Sequence, residues 1–296
     1  MTKKTQKNPK SHDALFKWLI ASFTDEFFAH YFPDIKIGKY TFIDKEFISK
    51  YEALKESLKG DIFIAMELEI DDKWQDVVIH TENEGHRSDI GERIYEYHCY
   101  AWLLKKKPVW SIVVYTDDAV WQKPVSDTFF YGFNSRCKKL LHQFDVIKIK
   151  EEKSSDLICK KSLMCKLLAL KANDKDTNPK ELVYEILKTV SDMQNQLTDD
   201  IKLLVLQWVD LYKKVSVKTL DTIKKEVNMD HIATTITEHY KLQGMAEGKA
   251  AGLAEGEARG EARGEVRGKT ELLQSLYKEG MLTEKQYQKM LISIKL

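Results

Sequence analysis

Hydrophobic and polar positions along this chain follow two periods. In Asp61 to Ile70, DIFIAMELEI, the residues Ile62, Ile64, Met66, Leu68 and Ile70 occupy every second position, the period of a strand with one buried face. The turn signal Asp71-Asp72-Lys73 follows, and WQDVVIHTENE then predicts a second strand that closes a hairpin. Val109 to Tyr115, VWSIVVY, is a continuous apolar run of strand length, which predicts a strand covered on both faces. Tyr40 to Ser49 and Phe144 to Ile149 read as further strands.

The helical period appears first at Leu15, Trp18, Leu19 and Phe23, behind Ser11 as N-cap. Thr24 caps a second stretch, DEFFAHYF, which Pro33 stops. A third helix follows Ser88 as N-cap, with Ile90, Ile94, Tyr97, Ala101 and Leu104 on one side, and ends before Pro108. A leading helix and the order β-β-β-α-β predict an α/β fold: a mixed sheet flanked by helices.

After about residue 154 the strand signal disappears. The chain therefore divides into a polar arm (1–10), an α/β domain (11–154), a helical region (155–242), a charged segment with periodic glycine (243–269) and a C-terminal helical segment (270–296). Glycine recurs every fourth residue from Gly244 to Gly268, and four residues turn a helix by about 400°, so a helix here would carry a slowly spiralling smooth stripe. Glu257, Glu261 and Glu265 repeat at the same spacing, as do Arg259, Arg263 and Arg267, so like charges sit one turn apart and disfavour a lone helix. Antiparallel pairing of two copies, giving a homo-oligomer, and a flexible low-complexity tail both fit this pattern. Thr283 and Gln286 fit a capping box for a final short helix.

Charge narrows the choice of partner. The 47 basic and 46 acidic side chains nearly cancel, so a nucleic acid would have to meet a local basic face. The lysine-rich start has no apolar segment of signal-peptide type, and no apolar run approaches bilayer length. Cys99, Cys137, Cys159 and Cys165 show no CxxC spacing and read as reduced, mostly packed thiols. A cytoplasmic protein with no membrane association is the expectation.

Three carboxylates carry the candidate chemistry. Glu82 and Glu84, at i and i+2, share a strand face roughly 7 Å apart, and hairpin pairing can bring Asp61 beside them. Converging carboxylates repel one another unless a cation lies between them, and hard oxygen donors suit Mg²⁺ or Mn²⁺. The plain alternative is that these strand-end acids face solvent. His80 shares the face of Glu82 and reads as packed or hydrogen-bonded. Asp44 and Glu46 share another strand face and read as exposed. Phe129, Phe130, Tyr131 and Phe133 read as core or edge packing rather than a base-stacking platform.

The blocks HDALFKWLI, DKEF (Asp44 to Phe47), GDIFI (Gly60 to Ile64) and VIHTENEGHRSDIGERIYEY resemble successive blocks of the Rpn/YhgA-like family of recombination-promoting nucleases and transposases. The resemblance covers roughly residues 11 to 150. It implies a PD-(D/E)XK nuclease-like core with a helical C-terminal extension, and metal-dependent endonucleolytic cleavage of DNA. It also implies site residues: Asp61 as the metal-binding aspartate, Glu82 as the acid of the E-x-Q/K motif, Arg93 and Tyr97 on the following helix, and Asp13 as an accessory acid of the leading block. DNA phosphates would meet lysines of the N-terminal arm or exposed Arg and Lys beside the site. Glu84 stands where the family usually has Gln and the superfamily Lys. As a third carboxylate it could serve as metal ligand or base aid, with Arg87 or Arg93 supplying the positive charge of the missing lysine. The alternative is a catalytically inactive DNA-binding or oligomerising module that keeps the nuclease fold.

Overall fold

The computed structural model describes residues 12–43, 62–133, 137–229 and 264–295, together with Gly252, Gly256, Gly260 and Glu261. Two compact units are present, Met1–Ala233 and Thr234–Leu296.

The first unit opens with helices α1 (His12–Ser22) and α2 (Thr24–Tyr31), followed by β1 (Lys36–Phe42). The hairpin expected from the alternating pattern is β2 (Ile62–Ile70) and β3 (Lys73–Glu84), paired antiparallel from Ile62↔Thr81 to Ile70↔Lys73. Asp71 and Asp72 both take positive φ, 50° and 58°, as a two-residue type I′ turn requires. Helix α3 (Gly91–Lys105) crosses from β3 to the parallel strand β4 (Val109–Tyr115), and β7 (Asp145–Lys148) pairs parallel to β4. The sheet is mixed and five-stranded, in the order β1-β2-β3-β4-β7. Strands β5 (Thr128–Tyr131) and β6 (Lys139–Gln143) form a separate two-stranded sheet.

Each sheet face has its own cover. Ile64, Met66 and Leu68 of β2, Val77 and Ile79 of β3, and Ile112 and Val114 of β4 enter a large core together with α1 and α2. The same core continues through α4 (Ser154–Ile158), α5 (Leu163–Leu168), α6 (Pro179–Asp192), α7 (Asp199–Tyr212) and α8 (Val217–Glu226). Trp208 of α7 packs against Phe16 of α1 with ring centroids 4.8 Å apart, and its indole N–H donates to the Leu167 carbonyl. The sequence boundary near residue 154 thus runs through one apolar core. The other face carries α3, with Phe63, Val78, Tyr97 and Ala101 in one small cluster and Ile90, Ile94, Val113, Tyr115 and Phe144 in another.

Some local expectations differ from the structure. The N-cap position of α3 is Ile90 rather than Ser88, and no side chain caps it; the Asp89 carboxylate instead accepts from the Gly91 N–H. Thr24 is the first residue of α2, and its hydroxyl donates back to the Ile20 carbonyl instead of capping. Of the aromatic run, Phe129 packs against Tyr95, whereas Phe130, Tyr131 and Phe133 are exposed. Ser11 and the segment Asp44 to Ser49 lie outside the described residues. None of the four cysteines forms a disulfide among the described residues, and no described helix is long and apolar enough to cross a membrane.

In the second unit residues 264–278 form α9, and Glu284–Lys295 form α10. Gln286 Oε1 accepts from the Thr283 N–H at 2.9 Å, the back-bond of the expected capping box. Tyr277 stacks on Tyr287 across the turn. Gly252, Gly256, Gly260, Gly264 and Gly268 are helical, and among the described residues a Cβ on any of them would meet no atom within 4 Å.

Candidate functional site

The end of β3 divides its side chains between the two faces of the sheet. Val78 and His80 point toward α3, so by alternation Glu82 and Glu84 do too, while Asn83 points to the α1 side. Strand pairing sets Glu82 opposite Val113 and Glu84 opposite Tyr115. Their carboxylates are therefore held on a rigid sheet beneath the first turns of α3. Neither faces solvent as a strand-end acid ordinarily would: the Glu82 and Glu84 side chains are only 8% and 15% exposed.

Ile90 and Ile94 anchor the start of α3 against Val113 and Tyr115, which places Arg93 over the carboxylates. A single guanidinium nitrogen, Nη2, donates to Glu82 Oε1 at 2.9 Å and to Glu84 Oε2 at 2.7 Å. Glu82 Oε2 and Arg93 Nε are buried without hydrogen-bond partners among the described residues. Among the described residues two carboxylates thus share one positive charge, and one buried carboxylate oxygen is unsatisfied. Burial of a carboxylate is costly unless it is paired and hydrogen-bonded. Among the described residues the arrangement therefore leaves local negative charge uncompensated.

One helical turn along α3, Tyr97 is buried and meets the edge of His80 at 5.2 Å, while His80 stacks on Phe63 at 4.7 Å. This Phe63–His80–Tyr97 column packs the sheet against α3. His80 is a packing residue here, as its sequence context suggests. Beside the pair, Tyr115 donates to the Ser88 carbonyl at 3.0 Å. Burial first, and then the negative charges of Glu84 and Asp89, push its hydroxyl up to about 12.

The structure therefore gathers Glu82, Glu84 and Arg93, with Tyr97 one turn away. Asp13 lies on the opposite face, ion-paired with Lys17 and 3.5 Å from Asn83 Nδ2. Of the two arginines able to supply positive charge, Arg93 engages the carboxylates; Arg87 donates to the Pro124 carbonyl and lies over Trp121. Asp61, Asp44 and Glu46 lie outside the described residues. Among the described residues no group of three or more His, Cys, Asp or Glu side chains is placed to hold a metal ion.

Sequence reading missed a second feature. At the carboxyl ends of β3 and β4 lies a polar cleft of about 480 Å³, lined by His12, Gly85, His86, Thr116, Asp117, Asp118, Ala119 and Lys171. Crevices outside the carboxyl ends of parallel strands are where open α/β sheets bind ligands. His12 Nε2 meets Thr116 Oγ1 at 2.5 Å, and its Nδ1 meets the Tyr212 hydroxyl. Lys171 pairs with Asp118 at 2.6 Å. These residues span positions 12 to 212, so no local spacing could unite them; the one readable signal was Asp117-Asp118 following an apolar strand. Gly85 and His86 directly follow Glu84, so the cleft and the carboxylate pair share the end of β3.

Comparison of the chain with family models, with curated proteins and with solved structures found no match in any of the three.

Proposed function

We propose that this chain is a metal-dependent endonuclease that hydrolyses phosphodiester bonds in DNA, on a PD-(D/E)XK nuclease-like core of the Rpn/YhgA-like recombination-promoting type. The observation that carries the reading is the carboxylate pair, strand-mounted and nearly buried, with Glu82 Oε2 unsatisfied among the described residues and one guanidinium nitrogen shared between two acids. Such a donor set of hard oxygens with excess negative charge suits a divalent cation. Glu82 and Glu84 would hold Mg²⁺ or Mn²⁺ together with Asp61. Asp61 adjoins Ile62 in the chain, and Ile62 pairs with Thr81, the neighbour of Glu82.

When bound, the ion would polarise the phosphodiester and lower the pKa of an attacking water. The chain's own residues orient and neutralise. The sheet keeps Glu82 and Glu84 side by side, and the Phe63–His80–Tyr97 column fixes α3 above them. Arg93 brings the positive charge that a lysine brings elsewhere in the superfamily. Lysines of the N-terminal arm and the exposed Arg87 supply phosphate contacts, and pairing of glycine-periodic segments supplies a homo-oligomer.

One observation favours a second reading, an inactive DNA-binding or oligomerising module. Arg93 already engages both acids, as a purely structural ion network would.

Incubation with supercoiled plasmid in Mg²⁺ or Mn²⁺ separates the two. The nuclease reading expects nicking or linearisation, abolished in Asp61→Ala and Glu82→Ala and retained in Glu84→Gln, which restores the family's usual residue. Intact DNA binding without cleavage in any metal would leave the inactive module.

A further inference from the structure

We propose that Arg93 is a displaceable internal cation: it pairs with both Glu82 and Glu84 in the metal-free chain and is exchanged for the divalent ion, which frees its guanidinium for a substrate phosphate. This rests on the metal reading of the site and adds to it a competition between two cations for the same oxygens. The motion belongs to the arginine. The Arg93 side chain is 40% exposed, whereas the two carboxylates it holds are almost wholly buried on adjacent positions of one strand face.

The bonding also points to exchange. An arginine–carboxylate pair of high geometric specificity is frequently made by two parallel N–H···O bonds from two nitrogens. Here one nitrogen serves two acids, while Nε remains unpartnered among the described residues. The oxygens it takes, Glu82 Oε1 and Glu84 Oε2, belong to both side chains that would hold the ion. An ion bound through these two oxygens competes with the guanidinium for them, and two like-charged cations at such separation repel strongly in a poorly solvated site. Once released, a planar five-donor cation at this half-buried position of α3 matches the bidentate geometry of a phosphate.

The test is Mn²⁺ binding, followed by electron paramagnetic resonance on the full chain, alongside affinity for a short DNA duplex measured by fluorescence anisotropy. Arg93→Gln should bind Mn²⁺ at least about tenfold more tightly and the duplex about tenfold more weakly, since a competing positive charge has been removed from one and a partner from the other. Arg93→Lys keeps the charge without the bridging fork and should fall between wild type and Arg93→Gln in both measurements; it also serves if Arg93→Gln does not fold, as judged by circular dichroism. Folded variants with unchanged or weaker Mn²⁺ affinity would overturn the exchange and leave Arg93 a structural clamp. Absence of Mn²⁺ binding in wild type and variants alike would overturn the metal reading itself, and the exchange with it.

Discussion

Glu82 and Glu84 differ in what they add to stability. Glu82 is the more buried and shares its guanidinium with a neighbour of like charge, so Glu84 acts on it as a repulsive partner as well as a co-acceptor. Replacing Glu84 by Gln keeps an oxygen for the 2.7 Å bond from Arg93 and removes one negative charge, which leaves a one-to-one ion pair with Glu82. In chelating buffer Glu84→Gln should therefore raise the unfolding free energy by about 1 kcal/mol, the order of one charge–charge contact near a protein surface, read as a higher urea midpoint. A lower midpoint would mean that the second carboxylate stabilises the fold. Functional sites commonly carry this kind of stored cost. That Glu82 and Glu84 share a face was legible from their i, i+2 spacing. Their burial was not, because it depends on α3 lying over the strand end. Asp13 shows the converse: its helix was legible, but only the fold shows that α1 covers the opposite face.

At the scale of elements, the β2–β3 hairpin is the best-specified part of the chain. Alternation sets its register, and a one-residue slip would turn Ile64, Met66 and Leu68 away from the core. Its turn is less than ideal, since Asp71 and Asp72 both hold positive φ. Aspartate tolerates that region better than most residues, but glycine adopts it without steric penalty. Asp72→Gly should therefore raise stability by about 0.5–1 kcal/mol despite the added freedom of the unfolded chain, read as a higher urea midpoint at unchanged slope. A decrease would show that the aspartate side chain holds the turn. Element ends were less legible than element interiors. Ser88 and Thr24 are good capping types in the wrong places, because α3 and α2 begin where apolar anchors, Ile90 and Phe27, find the core.

At the scale of the molecule, His12 joins three layers. It sits at the start of α1 and meets Thr116 at the end of β4 and Tyr212 of α7. Burial, and then the positive charge of Lys171, lower its pKa from 6.5 to about 4. His142 is lowered to about 4 as well, by burial and then by His98 and His80. A histidine whose folded pKa lies below its unfolded one stays neutral in the fold while the unfolded chain takes up a proton. Both therefore stabilise the fold fully above pH 6.5, and that stability is lost as pH falls from 6.5 toward 4. The urea midpoint of the full chain should drop across this window. His12→Gln should lower the midpoint at pH 7 and make the drop shallower; an identical pH profile would show that His12 does not carry the linkage.

The first strand, read at Tyr40 to Ser49, is Lys36–Phe42, and β5 and β6 were not read. The sequence alone determined the β2–β3 hairpin, β4, β7, helices α1 to α3 and the shared face of Glu82 and Glu84. Each follows from a period of two or 3.6 residues, and such periods are local. It also determined the back-bond of Gln286 to Thr283, a contact three residues long. Tertiary structure decided the rest, because each remaining feature joins positions far apart in the chain. Residues 155–229 join the core on that face of the sheet because Trp208 and its neighbours pack with Phe16 of α1 in one apolar cluster. Arg93 reaches both carboxylates because α3 returns over β3 on its way to β4. The polar cleft exists because two parallel strands end side by side where α1 begins. Burial and charge pairing are properties of surfaces brought together, and a periodic pattern specifies only which surface each element offers.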